Sequence, residues 1–235
     1  MSTLEERIQS VRERIEAACQ RAGRPVDAVT LVAVSKTVDE TVIEEAIGLG
    51  LRDFGENRIQ DAARKFEAVS DDRVRLHLIG QVQTNKARLA ARIADRIESV
   101  DRPGLVEVLE RETAKLVSAG ELTAGGRLPV LLQINVAREE QKSGCAPEDA
   151  PSLVEAVLAA PTLELQGLMT IAPLVRAPED ARPTFAGLRT LRDELARRYP
   201  EATLTTLSMG MTNDFEVAIE EGSTSVRVGR AIFAG

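Results

Sequence analysis

The chain has 235 residues, of which 43% are hydrophobic, so it can bury the core of one large domain or two small ones. A net charge of −7 and an aromatic content of 3% argue against nucleic-acid binding, which favours a basic face with stacking aromatic side chains. No window approaches the roughly 18 apolar residues of a membrane span, and no hydrophobic signal region precedes the charged amino terminus, so we expect a cytoplasmic globular protein.

Apolar strand-like runs alternate with amphipathic helical segments along the chain, without a linker or low-complexity stretch. After a leading helix over about 3–22, the predicted strands lie near 29–35, 51–54, 74–79, 96–100, 129–136, 163–169, 203–208 and 224–228. The predicted helices between them cover about 39–49, 57–68, 84–93, 104–118, 148–159, 180–198 and 213–220. This α/β pattern favours a single (β/α)8 TIM barrel domain over residues 1–235, with an extra N-terminal helix, and a doubly wound sheet is the alternative.

Cysteine and histidine are scarce in this chain. Cys19 and Cys145 are too few for a disulfide framework, and together with the single histidine, His77, they do not make a metal site. We therefore expect two unpaired thiols and no bound metal.

Lys36 ends the first predicted strand, after an apolar run that begins at Val29. The chain has only five lysines against 25 arginines, so arginine serves the surface and this lysine stands out. An amine that is desolvated at a barrel mouth is nucleophilic and can condense with an aldehyde. The sequence predicts Schiff-base chemistry at Lys36, and a lysine that merely snorkels at a strand end is the alternative.

In a barrel of this kind the chemistry belongs at the carboxyl ends of the strands, and polar and glycine residues follow the predicted strands here. The loops after strands seven and eight commonly bind phosphate through backbone amides. Ser208, Gly210 and Gly229 suit such a cup, because glycine lets the backbone approach an anion and a hydroxyl adds a donor. An amine that faces a phosphate cup indicates pyridoxal 5′-phosphate (PLP).

Six separated motifs carry a resemblance to a known family. They are Ala33-Val34-Ser35-Lys36, Phe54-Gly55-Glu56-Asn57, His77-Leu78-Ile79-Gly80 continuing to Gln83-Thr84-Asn85-Lys86, Lys142-Ser143-Gly144, Gly167-Leu168-Met169, and Ser208-Met209-Gly210-Met211 with Val226-Arg227-Val228-Gly229. Over nearly its whole length the chain resembles the pyridoxal phosphate homeostasis family, small single-barrel proteins related to the amino-terminal domain of alanine racemase.

The resemblance implies a fold-type III barrel that holds PLP as an internal aldimine on Lys36, with the phosphate near Ser208 and Gly229 and with Arg227 beside the pyridine nitrogen. It also implies a role in vitamin B6 homeostasis, in which the protein buffers PLP and passes it to PLP-dependent enzymes. Arg230 departs from the threonine found in many relatives, which puts one hydroxyl contact to the phosphate in doubt and leaves the backbone amide. We expect a monomer.

Arg227 also bears on catalysis. A guanidinium does not give up its proton, so beside the ring nitrogen it disfavours a pyridinium and leaves a weaker electron sink. We therefore expect a carrier without a clear catalytic activity. A PLP-dependent amino-acid racemase is the alternative, although the only tyrosine, Tyr199, is predicted near the opposite rim. A Schiff-base aldolase is a third, weaker reading.

Five further residues have two readings each. His77 is predicted to be a satisfied core histidine rather than a ring contact. Asn57 either caps the helix that follows it or orients the cofactor. Met209 either packs against the cofactor ring or fills a gap in the barrel mouth. Lys86 and Lys142 are read as solvated lysines of the rim, and a secondary docking point for an aldehyde or a phosphate is the alternative.

Overall fold

The computed structural model describes residues 2–122, 126–139 and 141–234. Within these ranges eight parallel strands form a closed barrel in chain order, in which β1 pairs with both β2 and β8. The strands are β1 (Thr30–Val34), β2 (Asp53–Glu56), β3 (Arg75–Leu78), β4 (Arg96–Val100), β5 (Leu128–Gln133), β6 (Leu163–Met169), β7 (Thr206–Met211) and β8 (Ser225–Val228). The prediction of a TIM barrel is therefore confirmed, and the doubly wound alternative is wrong.

Helices surround the barrel and alternate with the strands. They are α1 (Leu4–Arg21), α2 (Glu40–Gly48), α3 (Ile59–Phe66), α4 (Ala87–Ile93), α5 (Pro103–Ser118), α6 (Ala150–Leu158), α7 (Arg182–Arg198), α8 (Phe215–Glu220) and α9 (Arg230–Phe233). The short helix α9 was not predicted. Strands β2 and β7 begin and end later than predicted, because their last residues include Gly55 and Gly210, which the sequence reading placed in loops.

The two faces of the barrel wall differ in chemistry because successive strand residues point to opposite sides. On β3, Leu76 and Leu78 join the apolar cluster beneath the helices, whereas His77 between them bonds to side chains from other strands. On β8, Val226 and Val228 likewise join an apolar cluster, and Arg227 does not. The wall is thus apolar toward the helices and carries charged side chains toward the barrel interior.

Helix α1 is the extra N-terminal helix, and it covers one side of the barrel. Thr3 caps it by accepting a hydrogen bond from the Glu6 backbone N–H at 3.1 Å, and the Glu6 carboxylate accepts one from the Thr3 N–H. Ile8, Val11 and Ile15 recur at helical spacing and are buried in one cluster with residues of α8, α9 and the neighbouring strands. Burying each such side chain stabilises the fold by about 1.5–3 kcal/mol.

The two cysteines are not joined to each other: Cys19 is buried in α1 and Cys145 is half-buried after β5. Burial is the main cause that raises the pKa of the Cys145 thiol to about 12, and the nearby carboxylate of Asp149 raises it further.

Among the described helices none is long and apolar enough to cross a membrane. In the same residues no group of three or more His, Cys, Asp or Glu side chains could hold a metal ion.

We predict that Gly167→Ala strongly destabilises the barrel. Gly167 has a φ of +154°, and a β-carbon there would lie 1.9 Å from the carbonyl oxygen of Thr206 on the neighbouring strand. Backbone strain and overpacking together should lower the free energy of unfolding by at least about 2 kcal/mol, as measured by urea denaturation.

The matched control is Gly48→Ala in α2, where an added β-carbon would meet nothing within 4 Å. This variant should change the free energy of unfolding by less than about 1 kcal/mol, because alanine favours a helix more than glycine does. Equal stability of the two variants would contradict the close approach of β6 and β7.

Candidate functional site

Lys36 lies in the turn that follows β1, at the carboxyl end of the barrel. The turn is closed by a hydrogen bond from the Val38 N–H to the Ser35 carbonyl oxygen, at 3.0 Å. The Lys36 side chain is exposed, so the expectation of a desolvated amine is wrong for this structure. The reason is that the strand ends two residues earlier, at Val34, which leaves Lys36 on the rim where solvent and small molecules reach it.

A buried ion pair lies beneath this turn. Lys65 on α3 donates through Nζ to the Ser35 carbonyl oxygen at 2.8 Å and to the Glu56 carboxylate at 3.0 Å. Ser35 Oγ donates to the same Glu56 oxygen at 2.8 Å. The side chains of Lys65 and Glu56 are 5% and 1% exposed. Removing either one would leave the other charge buried without a partner, which would destabilise the fold. The cluster therefore fixes the backbone that carries Lys36.

The exits of β7 and β8 lie beside the exit of β1, because β8 pairs with both neighbours. Gly210 is buried with a φ of +95°, a conformation that favours glycine. Gly229 lies directly before α9, and a β-carbon there would lie 3.1 Å from the Val34 carbonyl oxygen of β1. Arg230 is the exposed first residue of α9. Lys36, Gly210, Gly229 and Arg230 thus lie on neighbouring strand exits.

Arg227 is buried in the barrel, and both of its terminal nitrogens have partners. Nη1 donates to Ser208 Oγ at 2.6 Å, and Nη2 donates to the Thr170 carbonyl oxygen at 2.8 Å. Burial lowers the pKa of Arg227, and the negative charges of Glu98 and Asp214 act in the opposite direction. The guanidinium remains charged, since arginine does not deprotonate in proteins.

Ser208 links Arg227 to a second set of buried charges. Its Oγ donates to Glu98 Oε2 at 2.6 Å, a contact that joins β7 to β4 through the barrel interior. The other oxygen of Glu98 lies 2.8 Å from His77 Nδ1, and His77 Nε2 lies 3.0 Å from the carboxylate of Asp53. The polar side chains of five strands therefore form one continuous buried chain.

The protonation states of these buried side chains follow from the groups to which each one is hydrogen-bonded. Carboxylates only accept hydrogen bonds, so a histidine between two of them carries a proton on each ring nitrogen. Burial alone would lower the pKa of His77, but the hydrogen bonds to Asp53 and Glu98 outweigh it and raise that pKa. Burial opposes ionisation of Glu98 too, yet His77, Arg227 and Ser208 bring its pKa down to about 2. The pKa of Asp53 is lowered in the same way, against burial, by His77 and Arg75.

The surroundings of three predicted site residues narrow the roles that were open to them. The hydroxyl proton of Ser208 is donated to Glu98, so it does not point to a phosphate at the rim. Met209 faces the other way and packs in the apolar cluster with Leu207 and Ala218, because strand residues alternate. Asn57 is exposed and does not cap α3, whose cap position is Arg58.

The structure also gives the positions and contacts of His77, Lys142, Lys86 and Tyr199. His77 is a buried, satisfied core histidine, as predicted. Lys142 is half-buried and donates to the Ala172 carbonyl oxygen at 2.9 Å, so it is not simply solvated. Lys86 lies in a short helical turn before α4. Tyr199 Oη donates to Glu155 at 2.5 Å in the outer helix layer, between α6 and α7.

Sequence reasoning missed Asp53, Lys65 and Glu98. Glu98 had a signal, because a carboxylate in the middle of a predicted strand in a buried barrel requires a partner. Lys65 had a signal as well, since it follows Ile59 and Ala62 on the buried face of α3 and is one of only five lysines. The partner of Glu98 could not be read from the sequence, because Glu98 and Ser208 are 110 residues apart.

The donor set at this end of the barrel suits an aldehyde that carries an anion. Lys36 supplies a reachable amine, Arg227 supplies a fixed cation below it, and Arg230 adds a cation at the rim. Gly229 itself adds no side chain where the exit of β8 approaches the backbone of β1. The residues present therefore fit a phosphorylated aldehyde.

We predict that the single histidine titrates with a pKa above about 6.5, as measured by NMR. Since this pKa is raised on folding, the stabilisation from His77 is complete below about pH 6.5 and is lost as the pH rises through the folded value. For Asp53 and Glu98, whose pKa values are lowered, stabilisation is complete above about pH 4.5 and is lost on acidification.

Urea denaturation across pH should therefore give the highest contribution of this cluster to the free energy of unfolding between about pH 4.5 and 6.5. In His77→Gln the loss of stability above this range should flatten. A histidine that titrates below about 6.5 would show that burial outweighs the two carboxylates.

Comparison with known proteins assigns the chain to a family. Residues 7–235 match the model of the family described as "Alanine racemase, N-terminal domain". A protein of Aquifex aeolicus named "Pyridoxal phosphate homeostasis protein" is 44% identical over 97% of this chain and 96% of its own length. A protein of the same name from Pseudomonas aeruginosa is 44% identical, over 99% of this chain and 96% of its own length.

A solved structure agrees with the sequence comparison. The structure of PipY from Synechococcus elongatus, with PLP bound, is 34% identical and superposes with a TM-score of 0.83, covering 99% of this chain and 100% of PipY. The chain therefore belongs to the pyridoxal phosphate homeostasis protein family, which shares its barrel with the amino-terminal domain of alanine racemase.

Proposed function

We propose that this protein binds PLP reversibly through Lys36 and serves in vitamin B6 homeostasis by buffering and supplying the cofactor. The observation that carries the proposal is that an exposed amine, a buried guanidinium and an exit that contains glycine lie on the neighbouring strands β1, β8 and β7. PipY, which this chain covers over its whole length, has a structure with PLP bound. The names of the two relatives above agree with this role.

Each residue of the site has a proposed task. Lys36 is the amine that reacts with the aldehyde, and Arg227 faces the ring nitrogen. The backbone at Gly210 and Gly229 approaches the phosphate, while Arg230 adds a positive charge in place of a hydroxyl. Asn57 and the backbone of Met209 complete the rim. When bound, PLP supplies an aldehyde for imine formation and a ring that withdraws electrons.

Arg227 also limits what the bound cofactor would do. A fixed guanidinium beside the ring nitrogen keeps that nitrogen unprotonated, so the ring withdraws electrons weakly. A strong racemase also needs a base on each face of its substrate, and the only tyrosine is bonded to Glu155 in the outer helix layer. The proposed role is therefore carriage rather than catalysis.

The proposal also covers the oligomeric state of the protein and the proteins that receive PLP from it. All of the proposed contacts come from one chain, so a monomer in the cytoplasm is sufficient for binding. The recipients would be PLP-dependent enzymes that lack their cofactor. Analytical ultracentrifugation of the loaded protein tests the monomer directly.

We predict that Lys36→Ala abolishes covalent attachment of PLP. Incubation with PLP followed by borohydride reduction and peptide mass spectrometry should locate one adduct, on Lys36, in the natural protein. The variant should give no adduct and should keep its fold, because the exposed Lys36 side chain is not part of the core.

The control is Lys86→Ala, which removes another lysine near the barrel mouth and should leave the adduct on Lys36 unchanged. Equal labelling of Lys36→Ala at another lysine, such as Lys65 or Lys142, would show that the amine has been assigned wrongly.

We also predict that the loaded protein does not catalyse racemisation. With L-alanine in heavy water, exchange of the α-proton should be no faster than with the same concentration of free PLP, as measured by NMR. A lasting rate well above that of free PLP would favour the racemase over the carrier.

A further inference from the structure

Among the described residues, Glu98 is the most deeply buried charge that the proposed binding role does not use. It is 0% exposed in the barrel interior, and its two oxygens bond to His77 and Ser208. A buried carboxylate costs several kcal/mol in desolvation unless it is paired, so a fold that keeps one needs compensating contacts. Those contacts lead through Ser208 to Arg227.

The direction of the two hydrogen bonds at Ser208 is fixed by chemistry. The Glu98 carboxylate is an acceptor only, and the Arg227 guanidinium is a donor only. The single hydroxyl proton of Ser208 therefore points to Glu98, and its lone pairs receive Arg227 Nη1. Any rotation of this hydroxyl toward another ligand would break a 2.6 Å bond to a charged group.

A second contact holds the other terminal nitrogen of Arg227. Nη2 donates to the Thr170 carbonyl oxygen, while the Thr170 hydroxyl donates to the Ile134 carbonyl oxygen at 2.8 Å. The Thr170 N–H in turn donates to the Ser208 carbonyl oxygen at 3.1 Å. The guanidinium plane is thus defined from two sides, by the ends of β6 and β7, and its charge is balanced by Glu98.

We propose that Glu98 is a positioning residue that acts through the Ser208 hydroxyl to hold Arg227 against the ring nitrogen of PLP. This rests on the proposed binding of PLP and adds a division of tasks to it. Ser208 serves the ring side of the site, and the phosphate is held by the backbone at the exits of β7 and β8. Neither Glu98 nor Ser208 needs to touch the cofactor.

The test compares PLP with an analogue in which a CH group replaces the ring nitrogen. The ratio of the two dissociation constants, from absorbance or fluorescence titration, measures the contact between Arg227 and that nitrogen. Ser208→Ala and Glu98→Gln should each bring this ratio roughly three- to tenfold closer to one, because a charge-assisted hydrogen bond to Arg227 is lost or weakened. Loss of general structure would weaken both ligands equally and leave the ratio unchanged.

Ser225→Ala is the matched control. Ser225 is the strand partner of Ser208 and is equally buried, and its Oγ has no hydrogen-bond partner among residues 2–122, 126–139 and 141–234. The same change of side chain at this position should leave the ratio as it is in the natural protein. Ser208→Ala removes only one oxygen, so it decides the question even where Glu98→Gln folds poorly.

A third ligand, pyridoxal, distinguishes the two possible roles of Ser208. If Ser208 bound the phosphate, Ser208→Ala would weaken PLP and leave pyridoxal unchanged, which would overturn the inference. In a Ser208→Ala protein that keeps its natural stability to urea, an unchanged nitrogen-dependent ratio would overturn it as well. Failure of the natural protein to bind PLP at all would instead contradict the proposed function, so the two failures are distinguishable.

Discussion

The pairing of charges inside the closed barrel is the constraint on which the rest of this structure depends. A parallel barrel sends every second strand residue inward, where no bulk water solvates it. Here those residues include Asp53, His77, Glu98 and Arg227, each with a hydrogen-bonded partner. Their charges alternate in sign along this series of hydrogen bonds, so each of these four buried charges is balanced by a neighbour of opposite sign in the series. Removing one member would leave its neighbours buried and unpaired, which costs more than the pair itself contributes.

The same alternation divides the site into two parts with different properties. Outward residues of β7 and β8, such as Leu207 and Val228, anchor the strands to the helices. Inward residues of the same strands, Ser208 and Arg227, belong to the buried polar chain. The rim beyond them is open, and Lys36 stands on it in an exposed turn. A hydrogen-bonded interior thus supports a rim on which a ligand would be accessible.

The fold was predictable from the sequence because its signals are local. Apolar runs and helical spacing place each of the eight strands and helices α1 to α8 within a few residues of the observed bounds, and the alternation of the two types indicates the barrel. The motif residues Lys36 and Gly229 fall at strand exits for the same reason. Buried partners were not predictable, since Glu98 meets Ser208 only after β4 and β7 have taken their places in the barrel.

Residues with several possible partners were the least predictable. Asparagine is a residue type that commonly caps helices, but α3 begins after Arg58, so the Asn57 amide is left on the surface. Serine is a residue type that commonly binds phosphate, but the Ser208 hydroxyl is already hydrogen-bonded to two buried charged groups, Glu98 and Arg227. For Asn57 the deciding factor is where the adjacent helix begins, whereas for Ser208 it is two charged partners from distant strands.

The contrast between Lys36 and Arg227 connects the structure to the proposed role in PLP supply. An enzyme that stabilises reactive intermediates closes its site, because excluding water strengthens electrostatic contacts and prevents side reactions. Here the amine is exposed, so water and amines from other molecules would reach its linkage to an aldehyde and favour exchange. The buried ion pair of Lys65 and Glu56 fixes the turn, and the buried chain through Glu98 fixes Arg227. In the proposed role, such a site would hold the ring of PLP in a fixed orientation and would leave the covalent bond open to exchange, as a carrier requires.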